Sequence, residues 1–241
     1  MALEVKQLRL AYGSRLLTEH LSFRLEAPFF LAVVGRNGSG KSTLLKALTG
    51  SVPYEGNILA EGQDILFLKE KEKAGLFSLI HQKNDSAFDI SVKDLLLMGC
   101  YRFKSFFESY TSEDEDRCHA ILKAVGGEAH WKRKYHELSG GEQQLVWITQ
   151  SLIQQARYML MDEPAQFLDV YYRRKIYDLI FSLPEQFGCG VICVTHDLSE
   201  LEKAKGKLLD FSLSNMSLEE LSPSRVNEAR VRMETGIQMN L

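Results

Sequence analysis

Cysteine is scarce: the 241 residues hold only Cys100, Cys118, Cys189 and Cys193, and no two of them form a CxxC. No histidine cluster stands at zinc-finger spacing near them, so neither a disulfide framework nor a structural zinc is encoded. Cys189 and Cys193 flank Gly-Val-Ile, which reads as a buried strand where cysteine acts as a small hydrophobe, and reduced thiols are expected. Long apolar runs are also missing. The longest notable one, Phe29 to Val34, falls far short of the roughly 18–20 residues needed to span a bilayer. The opening Met1-Ala-Leu-Glu-Val-Lys-Gln has no apolar core of a signal peptide. Nor is there an excess of one charge: 29 basic against 32 acidic residues give a net charge of −3, with no general electrostatic reason for nucleic-acid binding. These absences lead us to expect a chain in the cytosol or peripheral on the inner face of the cell membrane. With 45% apolar and 25% charged residues it has an ordinary globular composition, sufficient for one large domain or two small ones.

Three short continuous apolar runs stand out: Phe29 to Val34, Tyr158 to Met161 and Val191 to Val194. Runs of this length without alternation suit strands covered on both faces, as in a parallel sheet. Each leads into a polar group at its C-terminal end, and open α/β sheets place ligands at those ends. The three groups are Gly35 to Ser42, Asp162-Glu163 and Thr195-His196-Asp197. From about Lys83 to Gln155 the chain reads mostly as helix, with capping boxes expected at Ser91-x-x-Asp94 and Ser112-x-x-Glu115. The acidic run Glu113 to Asp116 is a solvated first helical turn rather than a metal site. The first 30 residues and Gly56 to Phe67 carry short strand patterns, suggesting an antiparallel layer.

Gly35-Arg-Asn37-Gly38-Ser39-Gly40-Lys41-Ser42 fits G-x-x-x-x-G-K-[ST]. Its glycines permit a tight turn whose N–H groups face a phosphate, and the following segment, Ser42 to Leu48, presents a helix N-terminus to the same anion. Lys41 is expected to reach the β- and γ-phosphates and Ser42 to ligate Mg²⁺, with Thr43 completing the phosphate-binding set. Asp162 is expected to hold the magnesium, and Glu163 to orient or deprotonate the attacking water. A P-loop alone leaves kinases, GTPases and motor ATPases open.

Leu138-Ser139-Gly140-Gly141-Glu142-Gln143 narrows the class, because Leu-Ser-Gly-Gly-(Gln/Glu) resembles the signature of ATP-binding cassette (ABC) proteins. The resemblance extends over the whole chain. It implies an α/β fold: a P-loop NTPase (RecA-like) core with a mostly parallel sheet, an antiparallel β layer and an inserted helical subdomain. The whole of 1–241 is then one cassette, with its core in 1–82 and 157–241 and its helical part at about 83–156. Ser139, Gly140, Gly141 and Glu142 would serve an ATP held by the P-loop of a second copy, in an ATP-sandwich homodimer. Tyr12 occupies the place of an adenine-stacking aromatic, and Gln82 that of a glutamine sensing Mg²⁺ or the γ-phosphate. Asp169 matches the loop crossing the dimer interface, and His196 the switch histidine at the γ-phosphate.

Val92 to Tyr101, with Met98-Gly99, resembles the ferric-siderophore, heme and cobalamin importers, although Cys100 stands where arginine is common. The implied activity is ATP hydrolysis coupled to transport. Its partners would be integral membrane permease subunits and, indirectly, a substrate-binding protein, with no nucleic acid. A soluble ABC ATPase of the iron–sulfur assembly type, or an export or lipoprotein-release ATPase, is the alternative. Ala165-Gln166-Phe167 and the missing arginines after the signature depart from the family, and the tail 215–241 stays unassigned.

Overall fold

The computed structural model describes residues 2–81, 89–105 and 107–235. Strands β1 (Ala2–Tyr12) and β2 (Arg15–Glu26) alternate, sending Leu3, Val5, Leu8, Leu21, Phe23 and Leu25 inward and charged side chains outward. They pair antiparallel, and β4 (Glu55–Ala60) and β5 (Gln63–Asp64) extend the sheet in the order β2-β1-β4-β5.

The second sheet is built from the runs without alternation. Here β3 (Phe29–Val34), β6 (Phe77–Ile80), β7 (Tyr158–Asp162), β8 (Gly190–Val194) and β9 (Lys207–Asp210) are parallel, and β10 (Glu219–Glu220) closes one edge antiparallel. Their order is β10-β9-β3-β8-β7-β6. Both faces of this sheet are covered. Leu31 and Val33 pack with Leu3, Val5 and the apolar side of α1 (Lys41–Leu48). Phe30, Ala32 and Val34 point the other way, against Ile148 of α5 (Gly140–Ile153), Ile176 and Tyr177 of α6 (Val170–Phe187), and Val226 of α8 (Pro223–Thr235). Continuous hydrophobicity in β3 is thus two alternating sets serving two cores.

The short helix α2 (Glu70–Leu76) leads into β6. Between β6 and β7 lie α3 (Val92–Leu97), α4 (Ser112–Ala124) and α5, which share a core of Val92, Leu96, Cys100, Cys118, Leu122 and Val146. The cap of α3 is Ser91, whose hydroxyl accepts from the Asp94 N–H at 3.1 Å. That of α4 lies one residue earlier than expected: Thr111 and Asp114 cap each other, and Ser112 is already helical. Lys104 sits 2.5 Å from Asp114, which favours the carboxylate at that position over Glu115. All four cysteines are buried and unbridged; Cys100 and Cys118 lie with sulfurs 3.7 Å apart, and burial pushes the Cys189 thiol up to about 11. Among the described residues, no helix is long and apolar enough to cross a membrane.

After β8, the four-residue helix α7 (Leu198–Leu201) leads to β9, and the described part of the tail, to residue 235, holds β10 and α8. Arg232 of α8 is buried and donates from Nε to Asp210 at 2.8 Å, with side chains 5% and 1% exposed. A buried pair is stable only while both partners remain. Arg232→Leu is therefore expected to cost about 3–5 kcal/mol in urea unfolding by stranding the Asp210 charge, and Asp210→Leu in the same chain to restore much of it.

Candidate active site

The three polar segments that follow β3, β7 and β8 converge at the carboxyl edge of the parallel sheet. Behind β3 the chain turns through Gly35 (φ 140°) to Gly40 (φ 111°) before α1 begins at Lys41. A side chain at Gly35 would bring its Cβ within 2.9 Å of the Phe211 Cβ, so the turn requires a bare backbone there. The cap residue of α1, Gly40, has no side chain to satisfy the first N–H groups of the helix. They are left facing the cavity with the positive end of the helix dipole.

Lys41 folds back over this loop, and its Nζ donates to the carbonyls of Gly35 (2.7 Å) and Arg36 (3.0 Å). Burial lowers its pKa, opposed by the charges of Glu163, Asp162 and Asp210. A cationic side chain is thus held ready beside two carboxylates.

Asp162 ends β7, paired with Val194 of β8. Glu163 follows in a left-handed backbone conformation (φ 52°), anchored by its N–H to the Val194 carbonyl at 2.9 Å. Such strain in a non-glycine residue persists only where surroundings impose it. His196, just beyond β8, brings Nδ1 to 3.0 Å from Glu163 Oε2. That oxygen is otherwise buried without a hydrogen-bond partner. The neighbouring Thr195 is pinned from below by Tyr177, hydroxyl to hydroxyl at 2.5 Å, and its Oγ1 accepts from the Asp197 N–H at 2.9 Å. Desolvation pushes the Tyr177 phenol well above its ordinary range, so it stays a neutral support.

A cavity of about 590 Å³ opens in front of these groups, lined among others by Tyr12, Asn37, Gly38, Lys41, Ser42 and Glu163. Tyr12, at the end of β1, is 77% exposed and stands on its rim. The set fits a polyphosphate with an attached ring. Bare N–H groups and Lys41 suit the anion, an aromatic face suits the base, and the Glu163 carboxylate supplies a proton acceptor. Ser42 and Asp162 offer the hydroxyl and carboxylate oxygens that a hard divalent cation takes. Gln82 lies outside the described residues. The sequence reasoning missed Arg15, Leu17 and Gln166, which also line the cavity. Only Gln166, next to the two carboxylates, carried a positional signal.

Ser139, Gly140, Gly141 and Glu142 do not line this cavity. They open α5, where Ser139 and Glu142 cap each other: the Ser139 N–H donates to Glu142 Oε2 at 2.7 Å. Asp169 caps α6, accepting from the Tyr172 N–H at 2.9 Å. The two helix starts touch, since a Cβ on Gly141 would stand 2.3 Å from the Tyr172 ring. Of the residues expected to serve ATP, Tyr12, Asn37, Gly38, Gly40, Lys41, Ser42, Thr43 and Glu163 line the cavity. Ser39 lines a neighbouring cleft, His196 lines another beside Glu163, and Ser139 to Glu142 open α5.

The pattern of the ABC transporter family matches residues 18–166. The chain is 36% identical over 190 residues to the uncharacterized ABC transporter ATP-binding protein YvrA of Bacillus subtilis, covering 78% of this chain but only 43% of that one. It is 31% identical over 208 residues to the petrobactin import ATP-binding protein FpuC of Bacillus anthracis, covering 86% of this chain and 76% of that one. A metal-chelate type ABC transporter, solved in an inward-facing conformation, superposes with a TM-score of 0.80 at 27% identity, over 91% of this chain and 83% of that one. This chain belongs to the ABC transporter family and is one of its ATP-binding cassettes.

Proposed function

We propose that the chain is the ATP-hydrolysing subunit of an importer, and that its cargo is an iron chelate, heme or cobalamin. The carrying observation is that Lys41 and Glu163 line one cavity, with His196 Nδ1 3.0 Å from the Glu163 carboxylate. The petrobactin-import relative and the metal-chelate type neighbour support the cargo class.

In this reading the N–H groups of Gly38, Gly40 and Lys41, with Ser42 and Thr43, hold the phosphates, and Lys41 Nζ moves from the loop carbonyls to the β- and γ-phosphates. Glu163 accepts a proton from water as the water oxygen attacks the γ-phosphorus, and the bond to the ADP oxygen breaks. His196 holds the Glu163 carboxylate in place and donates to the γ-phosphate. Mg²⁺ would neutralise phosphate charge at Ser42 and Asp162, with Gln82 as the third ligand. Ser139, Gly140, Gly141 and Glu142 of a second copy cover the nucleotide from the opposite side, with Asp169 at the seam. Closure of that pair upon ATP, and its release after hydrolysis, supplies the two-state motion.

Adenine would stack on Tyr12. Tyr12→Ala is expected to weaken ATP binding by about 1 kcal/mol, roughly fivefold, and Tyr12→Phe to leave it unchanged, as read by fluorescent-nucleotide titration. Permease subunits would meet the α3–α4 region, holding the chain at the inner face of the membrane. Copurification with a multispan membrane protein, and loss of ferric-siderophore, heme or cobalamin uptake when Glu163→Gln replaces the wild type, tests the role. Recovery with soluble scaffold proteins alone would point to the iron–sulfur assembly reading.

A further inference from the structure

A second cavity, of about 480 Å³, lies on the other side of the P-loop, between that loop, the start of β2 and the segment after β9. Arg15, Arg36 and Arg232 line it, and among the described residues no carboxylate does. This concentration of positive charge stands out in a chain whose net charge is −3. Asp210, beneath it, and Glu228 of α8 already lie 2.8 Å and 3.8 Å from the Arg232 guanidinium, so Arg15 and Arg36 supply the uncompensated charge. Arg15 and Arg36 form no ion pair among the described residues.

Hydrogen-bonding capacity is unspent there as well. Ser39 Oγ, Ser212 Oγ and Arg232 Nη2 are buried without a partner, and all three residues belong to the wall of this one cavity. Arg232 is 4% exposed. Buried donors of this kind ordinarily find an acceptor, because leaving one unmade costs about 1–3 kcal/mol. Three guanidinium groups and two hydroxyls form a donor-rich wall without a carboxylate, which suits an acceptor-rich anion.

We propose that this cleft is an anion-binding site separate from the nucleotide cavity, taking a small, multiply charged oxyanion of the phosphate or carboxylate class. Its walls share Arg15, Leu17 and Asn37 with the nucleotide cavity, so the two sites are neighbours through one layer of side chains. Phe211, also in the wall, packs on Gly35 and donates its N–H to the Val34 carbonyl at 2.8 Å. The anion would therefore seat against the base of the P-loop from behind.

The test uses the full-length chain carrying Lys41→Ala, which disables the phosphate grip of the nucleotide cavity. Inorganic phosphate and citrate are titrated separately by calorimetry, and the tighter of the two assigns the class. Saturable binding is expected, weakened at least tenfold by Leu213→Glu, which sets a carboxylate in the cleft wall, and by Arg36→Gln, an exposed position. Circular dichroism and thermal melting establish that the variants are folded. In the otherwise wild-type chain, ATP is expected not to displace the anion. Absence of saturable binding, equal binding by both cleft variants, or competitive displacement by ATP each overturns the proposal. Fluorescent-ATP binding to Leu213→Glu reports the nucleotide site independently, so failure of the two readings can be told apart.

Discussion

Glu163→Gln is expected to lower ATP turnover by about a hundredfold or more while ATP affinity stays within a few-fold of wild type. The substitution keeps the shape of the side chain and its place after β7, where the N–H is tied to Val194 and φ is 52°. What it removes is the carboxylate proposed to receive the proton of the attacking water. General-base catalysis contributes on the order of 10²–10⁴ in rate, so the loss falls on kcat. His196 approaches the oxygen that this change alters, at 3.0 Å. His196→Ala should consequently also reduce kcat, and combined with Glu163→Gln should add little, because the two act as one unit. Steady-state phosphate release together with fluorescent-nucleotide titration separates the two parameters. Turnover by Glu163→Gln near the wild-type rate would remove Glu163 from the role of base.

Lys41→Met is expected to weaken ATP binding by about tenfold to a hundredfold, the range for losing hydrogen bonds from a charged group worth roughly 1.5–3 kcal/mol. The protein has already met the cost of burying this ammonium, which burial holds below its ordinary pKa of 10.5. A base with a lowered folded pKa binds its proton more weakly in the folded than in the unfolded chain. Its burial cost is therefore fully present below the folded pKa and is relieved as pH rises from there to 10.5. Urea midpoints should accordingly show the wild type gaining on Lys41→Met between neutral and alkaline pH, without nucleotide. A difference that shrinks with rising pH would mean that the ammonium is stabilised, not strained, in the empty loop. Lys41→Arg is not expected to restore ATP binding, since a planar fork cannot follow the compact path of Nζ to the Gly35 and Arg36 carbonyls.

The site was legible where chemistry and strand edge coincide in the chain. The runs before Gly35, Asp162 and Thr195 announced β3, β7 and β8, and each delivered its polar group to the same edge. Helix starts were legible to within a residue: Ser91 caps α3, whereas Thr111 takes the cap expected at Ser112, because Asp114 finds Lys104 across a loop. A contact between distant segments such as this leaves no local trace. The tail illustrates the same limit. β9 and β10 are short, and their pairing is closed by Leu208 opposite Glu219, without a glycine-turn signal between them. The Arg232–Asp210 pair joins residues 22 apart, and nothing local in either segment marks them as partners. Arg15 entered both cavities unseen for a similar reason: a charged residue on a hairpin ordinarily points to solvent, and only the return of the P-loop beneath it makes it a wall.

Two groups of expected ATP-binding residues stand in different places on one chain. Lys41, Ser42 and Glu163 line the cavity, whereas Ser139 to Glu142 open α5 and complete only their own cap. In the proposed homodimer a second copy, related by a two-fold axis, would bring one group to the other and make both sites whole. Sedimentation velocity of Glu163→Gln, with and without ATP and Mg²⁺, tests this most directly, because blocked hydrolysis preserves the closed state. The prediction is a monomer without nucleotide and a dimer with ATP, abolished by Lys41→Met. A monomer at saturating ATP would contradict the shared-site account.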